Sequence, residues 1–359
     1  MITVSLCMIV KNEEDALPRC LESVRDIVDE IVIVDTGSDD RTKEIAAAFT
    51  PLIYDFEWIH DFAAARNYSF DKATQEYCMW LDADDILLPD DARKLLQLKE
   101  ALDPAIDAVT MDYAAVVDND GTVLDRVRRN RLLKRARQFR WEGVVHEDIP
   151  VDEALVLNSD IRVTHRKSRP VTTRNLDIYR YHLSRGMRLN LNHLYHYARE
   201  LHHHKHYEEA VPVYRQFIAG SQDLDSTISA MQRLADCYHF LGDRQKELET
   251  IFETFVHDVP RPESCCRLGY YFLQKEAWHQ AIYWYEQAAA YKRPDGSSHG
   301  GPSSTWLPHM QLALCYYRLG DYVLSKRHNE VALQFRPNDP GFRQNVKMLE
   351  EWLSKSSNQ

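Results

Sequence analysis

No apolar run in this chain is long enough to cross a bilayer, so a transmembrane helix is not expected. Nor does the start read as a secretory leader: Met1-Ile2-Thr3-Val4-Ser5-Leu6 enters a strand-like segment that Lys11-Asn12-Glu13-Glu14 cuts short. The seven cysteines (Cys7, Cys20, Cys78, Cys237, Cys265, Cys266, Cys315) are odd in number, scattered and without CxxC spacing. They argue against a disulfide framework and for a reducing compartment, the cytoplasm. Glycine and proline are sparse, 12 and 14 among 359 residues, too few for a fibrous or disordered chain. Positive charge is also in deficit: 44 Lys and Arg face 55 Asp and Glu, and the net charge of -11 disfavours nucleic acid or anionic lipid as partners.

What remains is an ordinary globular composition, 44% hydrophobic and 28% charged, in a chain long enough for two cores. From Thr3 to about His165, short β-rich runs alternate with amphipathic ones, the pattern of an α/β domain with a largely parallel sheet. Strands are expected at Thr3 to Val10, Glu30 to Asp35, Leu52 to Asp55 and Tyr77 to Leu81. Helices are expected at Glu13 to Arg25, Asp39 to Phe49 and Asp61 to Thr74, with Ser38 and Asp39-Asp40 suited to cap the second. Ligands of such sheets sit at the carboxyl ends of the strands.

After Arg174 the strand signal disappears and apolar positions recur at helical spacing. Four self-similar turns align on Tyr207, Arg244, Trp278 and Tyr322, in steps of 37, 34 and 44. The long step contains the polar stretch Pro294 to Pro302, whose removal restores a step of about 34. The segment Leu312-Ala313-Leu314-Cys315-Tyr316-Tyr317-Arg318-Leu319-Gly320-Asp321-Tyr322, followed by Arg336-Pro337-Asn338-Asp339-Pro340, resembles tetratricopeptide repeats, and the resemblance covers about Leu191 to Phe342. Stacked helix pairs of that kind share a core and leave a concave surface for peptides or subunits, or serve to prop up or dimerise their neighbour, so a homodimer is left open. Two domains follow: residues 1–170, α/β, and residues 171–359, a helical linker and repeats.

Trp80-Leu81-Asp82-Ala83-Asp84-Asp85 places three carboxylates directly after an apolar run. Gathered at a strand end they repel one another. A divalent cation relieves that repulsion and can bridge two phosphate oxygens of a departing nucleoside diphosphate. Acidic strings are also common as solvated turns, so their company decides. Ile31-Val32-Ile33-Val34-Asp35-Thr36-Gly37-Ser38 supplies a second strand-end carboxylate, Asp35, able to accept a hydrogen bond from a base or ribose. Met8-Ile9-Val10-Lys11-Asn12-Glu13-Glu14 closes the first strand, and Asp61-Phe62-Ala63-Ala64-Ala65-Arg66-Asn67 leads a helix. Phe139-Arg140-Trp141-Glu142-Gly143-Val144-Val145-His146-Glu147-Asp148 gathers a histidine and three acids around a glycine.

In chain order, the motifs at Met8 to Glu14, Ile31 to Ser38, Asp61 to Asn67 and Trp80 to Asp85 resemble the family 2 glycosyltransferases of GT-A (Rossmann-like) fold, over about Ile2 to His165. The resemblance implies a nucleotide-sugar domain that uses Mn2+ or Mg2+. It places Asp35 at the nucleobase, Asp82 at the ribose or sugar, Asp84 at the metal and diphosphate, and Arg66 near the diphosphate, with Asp85 supporting the sugar or metal shell. Val10, Asn12, Glu13 and Ala83, within the same motifs, complete the donor-binding candidates together with Trp141. Inverting members need a base on the acceptor side, for which Glu147 is the first choice and Asp148 the second. Such a base has only to take the acceptor proton as bonding begins. His146, as neutral imidazole, could complete the metal shell or hydrogen-bond the diphosphate. Trp141 could stack on a sugar or belong to the core. The pattern of Trp141, Gly143, His146 and Glu147 is similar to a subgroup containing lipopolysaccharide-core glucosyltransferases and the glycosyltransferases of glycosylated bacteriocins, some of which carry tetratricopeptide repeats.

The implied reaction is inverting transfer of a hexose or N-acetylhexosamine from a UDP-sugar to a hydroxyl or thiol of a peptide or protein, the peptide being inferred from the repeats. Two alternatives stand beside it: an envelope saccharide or lipid-linked acceptor, and a non-catalytic repeat scaffold, against which the intact Asp35, Asp82, Asp84 and Glu147 argue. Three further features have dual readings. The eight basic residues from Arg126 to Arg140, Arg129 and Arg131 foremost, could neutralise phosphate or merely line a solvated strand pair. His202 and His206 fall one helical turn apart, as metal ligands or as histidines of an inter-helix turn. Trp278, Tyr283, Trp284 and Tyr285 suit a repeat core or a sugar-binding stripe.

Overall fold

The apolar runs of the first half form parallel strands whose two faces are both covered. The computed structural model describes residues 1–117, 123–166, 172–292 and 301–356. Its first part comprises β1 (Val4–Val10), α1 (Leu17–Glu22), β2 (Glu30–Asp35), α2 (Thr42–Ala47), β3 (Ile53–Asp55), α3 (Phe62–Lys72), β4 (Tyr77–Trp80), β5 (Asp85–Ile86), α4 (Pro89–Ala101), β6 (Ala108–Val117), β7 (Val123–Lys134), β8 (Val156–His165) and α5 (Arg174–Ser184). The eight strands make one sheet in the order β3-β2-β1-β4-β7-β6-β8-β5. Successive side chains of a strand point to opposite faces. Leu6, Met8, Ile33 and Met79 therefore pack on one side with Leu17 and Leu21 of α1, while Cys7, Val32, Cys78 and Trp80 pack on the other with Ala63 and Phe70 of α3.

Strand direction decides where the site can form. β1 to β4 run parallel; β7 is antiparallel to both β4 and β6, and β8 is parallel to β6. The carboxyl ends of β1, β2, β4 and β8 consequently lie along one edge, although β8 is distant in sequence. Two helices are shorter than the sequence suggests. α1 begins only at Leu17, with Pro18 in its first turn, where a missing N–H costs nothing. α2 begins at Thr42 because Ser38 is engaged elsewhere, accepting from the Asn12 N–H at 2.9 Å.

The chain divides into two compact units, Met1–Arg188 and Leu189–Gln359. The helix α5 therefore belongs to the first unit and not to the linker expected from residue 171. It is held there by His182, whose Nε2 lies 2.8 Å from the His60 carbonyl, and by the Arg174 guanidinium over Phe62.

In the second unit, four helix pairs follow one another: α6 (Leu191–His203) with α7 (Tyr207–Gly220), α8 (Leu224–Phe240) with α9 (Arg244–His257), α10 (Pro262–Gln274) with α11 (Trp278–Ala290), and α12 (Trp306–Arg318) with α13 (Tyr322–Phe335). A last helix, α14 (Pro340–Ser356), closes the array. Each pair turns through one left-handed residue, Lys205, Gly242, Glu276 or Gly320, which reproduces the spacing read from sequence. Asp243 and Asp321 then cap the second helix of their pairs. Gly269 in α10 permits a close approach: a Cβ there would lie 2.7 Å from the Tyr285 ring. The core of the third and fourth pairs holds Tyr285, with Trp278 and Trp284 against it, while Tyr283 is exposed. Most of the polar stretch Pro294 to Pro302 lies outside the described residues. The architecture is an α/β unit built on one eight-stranded, largely parallel sheet, followed by an all-α array of tetratricopeptide-like helix pairs.

Candidate active site

The loops after β1 and β2 interlock at the carboxyl edge. Asn12, in the left-handed region at φ 55°, accepts from the Asp39 N–H through its side-chain oxygen at 2.9 Å, and the Glu13 N–H donates to Thr42 at 2.7 Å. Val10 is buried, and its carbonyl accepts from both the N–H and the hydroxyl of Thr36. These contacts fix the turn at Asp35, whose Oδ1 accepts from the N–H groups of Gly37 and Ser38, each at 2.9 Å. Gly37 has φ 101°, which a side chain would strain. The other oxygen of Asp35, Oδ2, is buried without a partner. A buried acceptor is seldom left unsatisfied, so this atom fits a ligand N–H or O–H.

Asp82 to Asp85 follow β4 at the same edge. The turn is closed from both ends: Asp85 N–H donates to the Asp82 carbonyl at 3.0 Å, and Asp82 N–H donates to Asp85 Oδ2 at 3.1 Å. Asp85 is wholly buried against Arg131, 3.1 Å away and itself 1% exposed. Asp82 and Asp84 remain partly open, and Ala83 is buried between them. His165, the last residue of β8, brings its Nδ1 to 3.3 Å from Asp85 and 3.5 Å from Asp84. Asp84, Asp85 and His165 are the one group of possible metal ligands found among the described residues. His146, left-handed at φ 53°, is not in that group. The histidine that joins the carboxylates is thus His165, which no local motif marks.

Arg66, on α3, ties the motifs together. Its Nη2 donates to Asp82 at 2.7 Å and its Nε to Glu147 at 2.6 Å. The guanidinium lies against both rings of the contacting Trp80–Trp141 pair, 5.1 and 4.7 Å from their centroids. Burial opposes its charge, yet Asp82 and Glu147 together hold its pKa above the ordinary value. Burial likewise opposes ionisation of Asp82, but Arg66 and then Arg131 hold that carboxyl below its ordinary value. For Asp84, burial, Asp82 and Asp85 outweigh the pull of His165 and raise it. For His165, the Asp85 hydrogen bond and the nearby acids outweigh burial and raise it. A site that makes ionisation of Asp84 costly, with oxygen and imidazole donors, suits a hard or borderline divalent cation.

Several sequence expectations change here. Trp141 is 4% exposed, packed on Trp80 and Phe70 and held by Asn67, so it presents no open face to a sugar and supports Arg66 instead. Asp148 is exposed and near Arg129, 3.9 Å away, whereas Glu147 is mostly enclosed. The basic strip is not a free cationic surface: Arg128 pairs with Asp112, Arg135 donates to the Gln75 carbonyl, Arg140 pairs with Asp71 and Arg131 is interior. The side chain of Arg126 lies outside the described residues. His202 and His206 do not share a helix, because Lys205 turns the chain left-handed between them.

Residues 5–155 match the family model described as glycosyl transferase family 2. A TPR repeat-containing protein of Synechococcus elongatus is 38% identical over 162 residues, 44% of this chain and 37% of that one. The SPbeta prophage-derived glycosyltransferase SunS of Bacillus subtilis is 28% identical over 233 residues, 60% of this chain and 53% of that one. A lipopolysaccharide core biosynthesis glycosyltransferase, LpsC of Rhizobium meliloti, is 28% identical over 164 residues, 41% and 57% of the two chains. The alignments thus span from about a third to just over half of these relatives' lengths.

Proposed function

We propose that the chain, whose residues 5–155 match the glycosyl transferase family 2 model, moves a hexose or N-acetylhexosamine from a UDP-sugar to a hydroxyl or thiol of a peptide or protein, with inversion. The observation that carries this reading is the Arg66 bridge, which joins the acidic turn at Asp82 to Glu147 in one enclosed site. Asp35 receives the nucleobase or ribose through Oδ2, and Val10, Asn12 and Glu13 shape the cradle around it. Asp84 and His165 would hold a divalent cation, Mn2+ or Mg2+, which would supply charge neutralisation for the diphosphate. Asp82, fixed by Arg66, faces the ribose or sugar. Glu147 takes the acceptor proton as the new bond forms at the anomeric carbon and the diphosphate leaves from the opposite side. Asp148, outside the brace, is the second choice for that role, and His146, beside Glu147, is left to the diphosphate.

The peptide acceptor rests on the helical repeats, whose stacked pairs offer an extended surface. Similarity to a lipopolysaccharide-core enzyme favours an envelope saccharide acceptor as the second reading. Glu147→Gln tests the mechanism: UDP with manganese should still raise the melting temperature as in wild type, while transfer to water or acceptor falls at least about a hundredfold. Near-normal turnover would remove Glu147 from the base role.

A further inference from the structure

Asp85 is the least accessible acid of the acidic turn, and it makes the most contacts. Its Oδ2 accepts from the Asp82 N–H and faces the Arg131 guanidinium, both at 3.1 Å, while its Oδ1 lies 3.3 Å from His165 Nδ1. With 0% exposure it has no oxygen turned to solvent. Arg131 is equally enclosed, with its guanidinium 3.6 Å from the Trp80 ring centroid and 4.9 Å from that of Tyr113, and its Nη1 donates to the Trp80 carbonyl at 3.2 Å. Two charges buried this completely are expensive unless their geometry is used.

We infer that Arg131 and Asp85 are a positioning pair: Arg131 fixes Asp85, and Asp85 fixes His165 by accepting its Nδ1–H. Nδ1 also lies 3.5 Å from Asp84, but Asp85 is the nearer acceptor, and a proton held on Nδ1 leaves the lone pair of the ring on Nε2, free to serve a divalent cation. Asp85 is then not a metal ligand but the carboxylate behind the ligating imidazole. A carboxylate in that place sets the tautomer and orientation of a histidine and raises its basicity. The strand register makes the arrangement rigid, since Asp85 and His165 are paired across β5 and β8 and Arg131 comes from β7, two strands along the sheet from β8. The inference rests on the metal-dependent reading above and goes beyond it in assigning Asp85 and Arg131.

Manganese binding to the full chain, measured by calorimetry and by the loss of free Mn2+ paramagnetic resonance signal, tests it without any turnover. Arg131→Met should weaken manganese by roughly tenfold to a hundredfold, the usual effect of losing an outer partner of a ligating histidine. The sign is diagnostic. Deleting a positive charge near a cation site would, by Coulomb's law alone, tighten binding. Arg131→Lys, which keeps the charge but loses the planar fork, should weaken binding by less. Metal affinity unchanged or increased in Arg131→Met overturns the inference, even if the melting temperature falls. Should that variant not fold, Arg131→Lys decides, and wild-type affinity there overturns it. If Asp84→Ala abolishes binding while both Arg131 variants bind like wild type, only this assignment fails. If the wild-type chain binds no manganese, with or without UDP, the metal-dependent reading fails and takes the assignment with it.

Discussion

Replacing Arg66 by methionine removes the bridge while keeping an unbranched side chain beside Trp80 and Trp141. In the wild type the Arg66 side chain is 9% exposed, Glu147 11% and Asp82 36%. The variant leaves Glu147 as an enclosed carboxylate without its cation. Breaking a buried pair by removing one partner costs about 3–5 kcal/mol. Asp82, a third exposed, is taken over by water and adds little. Because Glu147 keeps some access to solvent, the lower end, about 3 kcal/mol, is expected at pH 7. In a unit of this size each kcal/mol moves the midpoint by ~2–4 °C, so calorimetry should show the first unit melting roughly 6–12 °C lower, with the repeat unit unmoved. The pH dependence carries a second signature. Arg66 helps hold Asp82 below its ordinary 3.8. A depressed folded pKa stabilises above the unfolded value and the gain is lost as the pH falls through the folded one, so the advantage of wild type over Arg66→Met should shrink below about pH 4. A midpoint within 2 °C of wild type at pH 7 would refute the brace.

Asp84→Asn should raise the midpoint of the metal-free protein at pH 7, because a carboxyl held above its ordinary value destabilises once it is forced to ionise; it should also abolish the stabilisation, about 2.7 kcal/mol at a hundredfold excess over Kd, that manganese gives the wild type. Lower metal-free stability would mean that the 3.5 Å contact with His165 outweighs burial and the neighbouring acids. Asp35→Asn can place an NH2 where the unpartnered Oδ2 now stands, and calorimetric titration should find UDP weakened by about tenfold to a hundredfold. Gly269→Ala pushes a methyl into the Tyr285 ring and should cost about 1–3 kcal/mol in the melting of the repeat unit alone, with UDP affinity unchanged.

Much of this was legible in sequence where the physics is local. Strands buried on both faces read as continuous apolar runs, so β1, β2 and β4 appear within a residue or two of their positions, and their terminal acids mark the edge at once. The repeats betray themselves because each pair needs the same turn, whose left-handed residue recurs at Lys205, Gly242, Glu276 and Gly320. What escaped notice depends on strand order. His165 ends a strand 80 residues beyond Asp85, and only the parallel placement of β8 next to β6 brings it to the carboxyl edge. Arg131 reads as one more cation in a basic strip. Its burial follows from β7 being an interior strand, where the neighbouring Leu132 and Leu133 were the only hint. His146 reads as a ligand because a neutral imidazole can complete a metal shell, but the imidazole that strand order brings to Asp84 and Asp85 is that of His165.

The two buried arginines explain how the chain can fold around so much negative charge before any ligand arrives. Asp82, Asp84, Asp85 and Glu147 lie near one another, and Arg66 and Arg131 flank Trp80, at 5.1 and 3.6 Å from its ring centroid. Each guanidinium holds one deeply placed acid, Arg66 with Glu147 and Arg131 with Asp85, and Arg66 reaches Asp82 as well. Asp84 faces His165 rather than either arginine, 3.5 Å from its Nδ1, and burial with its two acidic neighbours raises its pKa. Losing either arginine would leave an enclosed acid unpaired. The two arginines thus hold the interior acids, Asp85 and Glu147, and leave the more open Asp84 as the position where the proposed divalent cation would relieve the remaining repulsion.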